Sequence, residues 1–406
     1  MRRYKALWAL VLALLMVGGL IYGASLLREA RGNVPAGETS AAAETAAPAY
    51  LMPEPLEQAA KRMRAGYHYK QLTPGERTAY RAIYEALPAW PGAVDVSGLD
   101  SDGMSRVFQA LTLDQPLLFQ ISSTHYKTRT VNDTEVTGFL PEYRMEPAEY
   151  QRQLEALYAV CRSYLQTSGG DDYLAELALH DQLVRECNYT EDISLAENNT
   201  AYGALVKRQA ACEGYSKAML LLLELRGIEA GIVTGDANNA AGVSGGHAWN
   251  KVKINGNWYH LDATWDDPVS ETGSNSISHA YFNLTDDEIG QSHELSDPGV
   301  SCTATADNYF KREGLEFTRL ERADETVLAQ RMTEALSRGG NCLEFRCSSG
   351  QALQQAQEYL FDPSSQRVYR IIALANSSAE NAFKTDMVYH AELTELRVIR
   401  VFPVKK

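Results

Sequence analysis

The stretch His247-Ala248-Trp249-Asn250-Lys251-Val252-Lys253-Ile254-Asn255-Gly256-Asn257-Trp258-Tyr259-His260-Leu261-Asp262 decides how the chain is built. Its Asn255-Gly256 pair is the strongest short signal for a two-residue type I′ turn, so the runs on either side should pair as an antiparallel hairpin. With Ile254 facing Asn257, counting outward sets Trp249 opposite Asp262. Side chains alternate between faces along a strand, so His247 shares the face of Trp249. His247 and Asp262 then become diagonal neighbours with backbones roughly 7–8 Å apart, a gap that two polar side chains can bridge. Trp258 and His260 join them on that face, while Val252, Ile254, Tyr259 and Leu261 form an apolar layer on the other.

Upstream, the polar run Lys207-Arg208-Gln209-Ala210-Ala211 gives way to Ala218-Met219-Leu220-Leu221-Leu222-Leu223, which is apolar on nearly every side. This predicts a buried helix of about four turns that ends at Arg226-Gly227. Cys212 falls in its first turn, where unpaired N–H groups and the positive end of the helix dipole favour a thiolate. The competing account is a small buried apolar side chain, since free cysteine is often just that. A histidine and an aspartate on neighbouring strands tip the balance towards a nucleophile, a base and an orienting carboxylate. His247 and His260 compete for the role of base. His247 follows the glycine-rich Gly242-Val243-Ser244-Gly245-Gly246 and should lie near an open edge that a substrate can reach, so it is preferred. His260, in mid-strand, reads as a packed or surface histidine. The same glycine-rich run fits G-x-S-x-G, but a nucleophile elbow needs a helix after it and a strand follows here, so a serine hydrolase is disfavoured.

These residues carry a family resemblance. The phrases Cys212-Glu213-Gly214-Tyr215-Ser216-Lys217-Ala218, Gly246-His247-Ala248-Trp249-Asn250 and Trp258-Tyr259-His260-Leu261-Asp262-Ala263-Thr264-Trp265-Asp266-Asp267-Pro268 resemble those of bacterial cell-surface members of the transglutaminase-like superfamily, which shares its catalytic layout with papain-type proteases. The resemblance is strongest over about residues 170–290, is a matter of general pattern over 60–170, and fades beyond 300. Ala210-Ala211 stands where many members carry a glycine. The resemblance implies an α+β fold with a transglutaminase-like, papain-like core, in which the helix bearing the nucleophile packs on an antiparallel sheet. It also implies that Cys212 attacks an amide carbonyl, that His247 moves the proton and that Asp262 fixes the imidazole. The backbone N–H of Cys212 would serve as an oxyanion donor. Tyr202 and Trp249 are marked as further residues of the oxyanion site or cleft.

Residues Ala6 to Leu27 contain no charge; these 22 residues would span about 33 Å as a helix, enough for a bilayer core. Arg2, Arg3 and Lys5 precede them, which predicts a single-pass membrane anchor with the bulk of the chain outside. The alternative is a signal peptide cleaved near Gly23-Ala24-Ser25, which would leave a secreted protein. No cysteine closes the run to accept a lipid. Residues 31–49 lack aromatics and read as a tether. A net charge of −14 with no basic block argues against nucleic acid as a partner.

The chain has six cysteines. With Cys212 free, an odd number remains, so full pairing is impossible. Cys161 and Cys187 could pair, though two buried thiols is the preferred reading, and Cys342 and Cys347 on one strand would point apart. No C-x-x-C and no histidine pair of zinc spacing occurs, so neither a metal nor another cofactor is expected. Asp100-Ser101-Asp102-Gly103 looks faintly like a calcium loop but lacks its later ligands, so helix capping is preferred.

The resulting organisation is a membrane-anchor segment over 1–30, a flexible linker over 31–54, an N-terminal α/β module over 55–148, a catalytic domain over 149–300 and a C-terminal α/β accessory module over 301–406. Within it, helices are predicted from Thr73-Pro74-Gly75-Glu76, from Ser101 or Asp102 to Leu111, from Pro147 to about Leu165, and from Asp171 or Asp172 to Cys187. Further helices are predicted over Asp324–Arg338 and Gly350–Leu360, with strands over Leu117–Ile121, Cys342–Cys347, Val368–Ala373 and Tyr389–Val401. His180 lies on an apolar helical stripe and reads as a satisfied core histidine. The function expected is that of an extracellular cysteine enzyme, either a protease or deamidase or a protein cross-linker, acting on a protein or peptide substrate. Two alternatives stand beside it, an inactive binding or scaffolding module and a structural surface protein with a vestigial triad.

Overall fold

The structure, a computed structural model, describes residues 52–131, 134–238, 244–267, 277–296, 299–337, 342–378 and 383–405. The apolar run of residues 6–27 and most of the linker lie outside them, as do Gly242 and Val243. Among the described residues no helix is long and apolar enough to cross a membrane.

The chain enters through helices α1 (Glu54–Met63) and α2 (Pro74–Ala86). Thr73 and Glu76 close a reciprocal capping box at the head of α2, satisfying two of the N–H groups a helix start leaves unpaired. Strand β1 (Val94–Leu99), helix α3 (Ser101–Asp114), and strands β2 (Ile121–Val131) and β3 (Glu135–Tyr143) complete a small unit with sheet order β1-β3-β2. Asp100, not Ser101 or Asp102, caps α3 through a 2.7 Å bond from the N–H of Gly103. The helix continues past Leu111 because Asp114 is tied down, accepting from the N–H groups of His68 and Tyr69 at 3.0 and 2.8 Å. The strand expected over Leu117–Ile121 is instead a buried turn with β2 starting at Ile121. Leu117, Leu118 and Phe119 fill the core without joining a ladder.

Helices α4 (Pro147–Thr167) and α5 (Asp172–Glu186) follow, then the two-residue parallel strands β4 (Asn188–Tyr189) and β5 (Gln209–Ala210). Helix α6 (Cys212–Arg226) is buried on nearly all sides, with Tyr215, Ala218, Met219 and Leu220 to Leu223 at most 2% exposed. Each such leucine stabilises the fold by about 1.5–3 kcal/mol. Gly227 takes φ +87° and ends the helix as a left-handed residue.

Strands β6 (Ala230–Asn238), β7 (Ser244–Ile254), β8 (Asn257–Leu261), β9 (Phe282–Leu284) and β10 (His293–Leu295) form an antiparallel sheet in the order β10-β6-β7-β8-β9. Asn255 and Gly256 both have positive φ, as a type I′ turn requires. Ile254 pairs with Asn257 and Asn250 with Leu261, the register read from the sequence. Helix α6 packs on the face carrying Ala248, Val252, Ile254, Tyr259 and Leu261.

The other face is covered too. After the short helices α7 (Asp286–Ile289) and α8 (Tyr309–Arg312), the chain builds strand β11 (Glu316–Phe317), helix α9 (Asp324–Ser337), strand β12 (Leu343–Cys347), helices α10 (Gly350–Phe361) and α11 (Arg367–Ser378), and strands β13 (Phe383–Leu393) and β14 (Val398–Lys405). Its sheet runs β11-β12-β14-β13, and its core is continuous with Val233, Trp249, Tyr281 and Leu284. Two expectations fail here. Val368–Ala373 is helix, because Val368, Ile371, Ile372 and Ala375 bury one helical stripe and packing overrides their β propensity. Tyr389–Val401 is two strands of one hairpin, broken at Thr394–Arg397, where Arg397 has φ +59°.

Candidate active site

Cys212 is the first residue of α6, and no side chain caps that helix. The N–H groups at its head therefore face the site without an intrahelical partner. Two neighbours fix the helix against β7. Ser216 Oγ lies 2.8 Å from the carbonyl of Cys212 and 2.9 Å from that of Ala248. Asn250 Nδ2 donates to the Ser216 carbonyl at 3.0 Å. Gly214 allows the preceding loop to close over the first turn, since a Cβ there would stand 2.4 Å from the carbonyl oxygen of Asn198. Cys212 is only partly buried, whereas the other five cysteines, all free, are buried. Burial pushes the thiols of Cys161, Cys187, Cys302 and Cys342 up to about 12 and that of Cys347 to about 11.

His247, Cys212 and Asp262 come together. His247 Nε2 lies 2.7 Å from Asp262 Oδ2, which leaves Nδ1 for the Cys212 sulfur within hydrogen-bonding reach. The imidazole is pushed up to about 10; burial opposes its charge, but the Asp262 carboxylate and then Cys212 outweigh it. Burial also opposes the charge of Asp262, yet His247, together with hydrogen bonds from His247 and His293, holds its carboxyl well below the usual range. Its Oδ1 accepts the N–H groups of Thr264 and Trp265 at 3.0 and 3.2 Å. An imidazole held between a carboxylate and a sulfur is the arrangement of a base, its orienting group and a nucleophile.

The two further cleft residues are placed otherwise. Tyr202 is buried in the core, its ring 6.1 Å from Phe119 and under the ammonium of Lys207. Trp249 is fully buried, its ring stacked 5.7 Å from His247, and its indole N–H is used on His260 Nδ1 at 2.9 Å. It seats the imidazole and has no N–H left for an oxyanion. Replacing Trp249 with phenylalanine should therefore cost about 1–3 kcal/mol in urea unfolding, because the buried His260 nitrogen loses its donor. Turnover should change less than about tenfold, where loss of an oxyanion donor costs roughly 10²–10³.

His260 is a packed histidine, with Nε2 2.9 Å from Asp286 Oδ1. His180 is buried as well, its Nδ1 3.1 Å from Asp181 and its Nε2 3.3 Å from Asp266. Ser244 opens β7 on the surface. Sequence reasoning missed His293, whose Nε2 lies 3.1 Å from Asp262 Oδ2, and Tyr189, which pairs opposite Ala210 beside the cysteine. Nothing local marks His293, because it sits on a separate edge strand. Its approach depends on Gly235, where a Cβ would stand 2.0 Å from the carbonyl oxygen of Glu294.

Among the described residues, three clusters have ligand atoms within 4.8 Å of one another: His247, Asp262 and His293; His260, Asp286 and Cys302; His180, Asp181 and His279. In each, hydrogen bonds among the same atoms account for their closeness. In the second, His260 Nδ1 accepts from Trp249, so Nε2 carries the proton given to Asp286, and the Lys251 ammonium lies 3.7 Å from that carboxylate.

Comparison with known proteins gives the segment a family. Residues 162–263 match the Transglutaminase-like superfamily, and that segment holds Cys212, His247 and Asp262. No curated protein matches the chain. Among solved structures, a TGase shares 13% identity with it, covering 36% of this chain and 46% of its own at a TM-score of 0.27. A protein described as a candidate cysteine protease from Cytophaga hutchinsonii shares 18% identity, covering 32% of this chain and 52% of its own at a TM-score of 0.23. The chain thus spans about half the length of each. Over residues 162–263, the protein carries a transglutaminase-like domain.

Proposed function

We propose that the protein is a cysteine enzyme that hydrolyses amide bonds in a protein or peptide through a thioacyl intermediate, held at the outer cell surface by the apolar segment Ala6 to Leu27. The observation that carries the chemistry is the line Cys212–His247–Asp262, with the sulfur at an uncapped helix head. The thiolate of Cys212 attacks the carbonyl carbon, and N–H groups at the head of α6 receive the developing oxyanion. The His247 imidazolium gives its Nδ1 proton to the leaving amine, which departs and leaves a thioester. Water then attacks the thioester while neutral His247 takes its proton, and the acid and the thiolate are released. An amine in place of water would make the same site a cross-linker.

The test is residue-by-residue iodoacetamide alkylation followed by peptide mass spectrometry. Cys212 alone should react fast at about pH 6, with the five buried thiols as internal controls, and His247→Ala should remove that reactivity. If Cys212 behaves like the other five, the enzyme reading falls and a binding module takes its place. Incorporation of a labelled amine into a glutamine peptide would overturn hydrolysis in favour of cross-linking.

A further inference from the structure

Asp262 Oδ2 faces two imidazoles. His247 Nε2 stands 2.7 Å away and His293 Nε2 3.1 Å away. His293 is buried on edge strand β10, opposite Ala237 of β6, and its ring contacts Trp265, Trp249 and His247 at centroid distances of 4.6, 4.9 and 5.3 Å. Its Nδ1 lies 2.8 Å from Ser292 Oγ. With the serine hydroxyl donating to Nδ1, the proton of His293 sits on Nε2 and points at the carboxylate. The aspartate therefore takes four donors, two imidazole N–H groups on Oδ2 and two backbone N–H groups on Oδ1.

From this geometry we infer that His293 is a positioning residue of the proposed reaction, which acts through Asp262 to set how tightly His247 holds its proton. The inference rests on the cysteine-enzyme reading above. A carboxylate oxygen that already accepts one hydrogen bond is a weaker acceptor for a second. Sharing Oδ2 with His293 thus tempers the hold of Asp262 on the His247 imidazolium. The two halves of the reaction feel this differently. Acylation by an activated ester, whose leaving group needs no proton, uses the thiolate and imidazolium that a stronger Asp262 would keep. Deacylation needs neutral His247 to take a proton from water, which a stronger Asp262 would hinder. Without His293 the enzyme should be acylated normally by such an ester and stall as the thioester.

The probe is p-nitrophenyl acetate with the full chain. Attack by Cys212 releases p-nitrophenolate in a burst, and hydrolysis of the thioacetyl enzyme sets the steady state. In His293→Ala the burst rate should stay within about twofold. The steady-state rate at pH 7 should fall about tenfold and recover at higher pH, since one pH unit in the His247 titration corresponds to a factor of ten. His293→Gln, whose amide can reach the place of Nε2–H, should restore the wild-type pH profile. His293→Asn, whose amide stops short, should not. If the alanine variant does not fold, the Gln and Asn pair decides. A wild-type burst with the same steady-state pH profile in all variants overturns the role of His293 and leaves the cysteine-enzyme reading standing. A wild type without a burst at Cys212 overturns both.

Discussion

Asp262→Asn should lower turnover of a thioester-forming substrate by roughly 10²–10⁴-fold while leaving the fold intact. The two backbone N–H groups of Thr264 and Trp265 bind Oδ1 at 3.0 and 3.2 Å, so the asparagine carbonyl must stay there. Its NH₂ group then replaces Oδ2 and faces the imidazole Nε2 atoms of His247 and His293. Donor would meet donor. His247 escapes by moving its proton to Nδ1, so that Nε2 accepts from the amide, but a protonated Nδ1 in the neutral ring cannot receive the thiol proton of Cys212. The variant would be well packed and hold the wrong tautomer. The burst of p-nitrophenolate and iodoacetamide uptake at Cys212 should both be lost, with circular dichroism unchanged. Activity within fivefold of wild type would show that Asp262 does not govern the imidazole.

The proposed catalytic line was legible in the sequence because each part depends on a strong local rule. Asn255-Gly256 admits one turn type, that turn sets one register, and the register alone brings His247 and Asp262 together. The run Ala218 to Leu223 suits only a helix buried on all sides, and Gly227 marks its end. The parts that were missed depend on contacts between distant segments. His293 reaches Asp262 across 31 residues of sequence, and its edge strand is only three residues long. Trp249 looked like a cleft residue because nothing in the hairpin shows that the second sheet face is covered by Phe310 and Phe345 from much later in the chain. Val368–Ala373 reads as a strand in the sequence. Its helical burial depends on the core it faces, which single-segment periodicity cannot supply.

His279→Ala should destabilise the protein by roughly 3–5 kcal/mol, the usual cost of removing one partner from a buried ion pair. The imidazole sits between Asp181 of α5, 2.9 Å from Nε2, and Glu344 of β12, which meets Nδ1. The ring of Tyr309 stacks on it at 3.8 Å. Burial opposes its charge, but the two carboxylates outweigh this and push it up to about 10. A histidine whose folded value is raised stabilises fully below its unfolded value, about 6.5, and that share is lost as pH rises through 10. The urea midpoint of the wild type should accordingly fall from pH 7 towards pH 10, and His279→Ala should flatten that slope. The same network reaches the candidate site. Asp181 also meets His180, whose Nε2 lies 3.3 Å from Asp266, and the N–H of Asp266 binds the carbonyl of Asp262. Loosening Glu344 from His279 should therefore free Trp258 of β8 and Trp265 of the turn after it, both packed on the core shared with the C-terminal segment. Tryptophan fluorescence should then shift to the red at urea concentrations where the wild type is still native. A variant that unfolds at the wild-type midpoint, with the same pH slope, would mean that apolar contacts alone hold the C-terminal segment on the sheet.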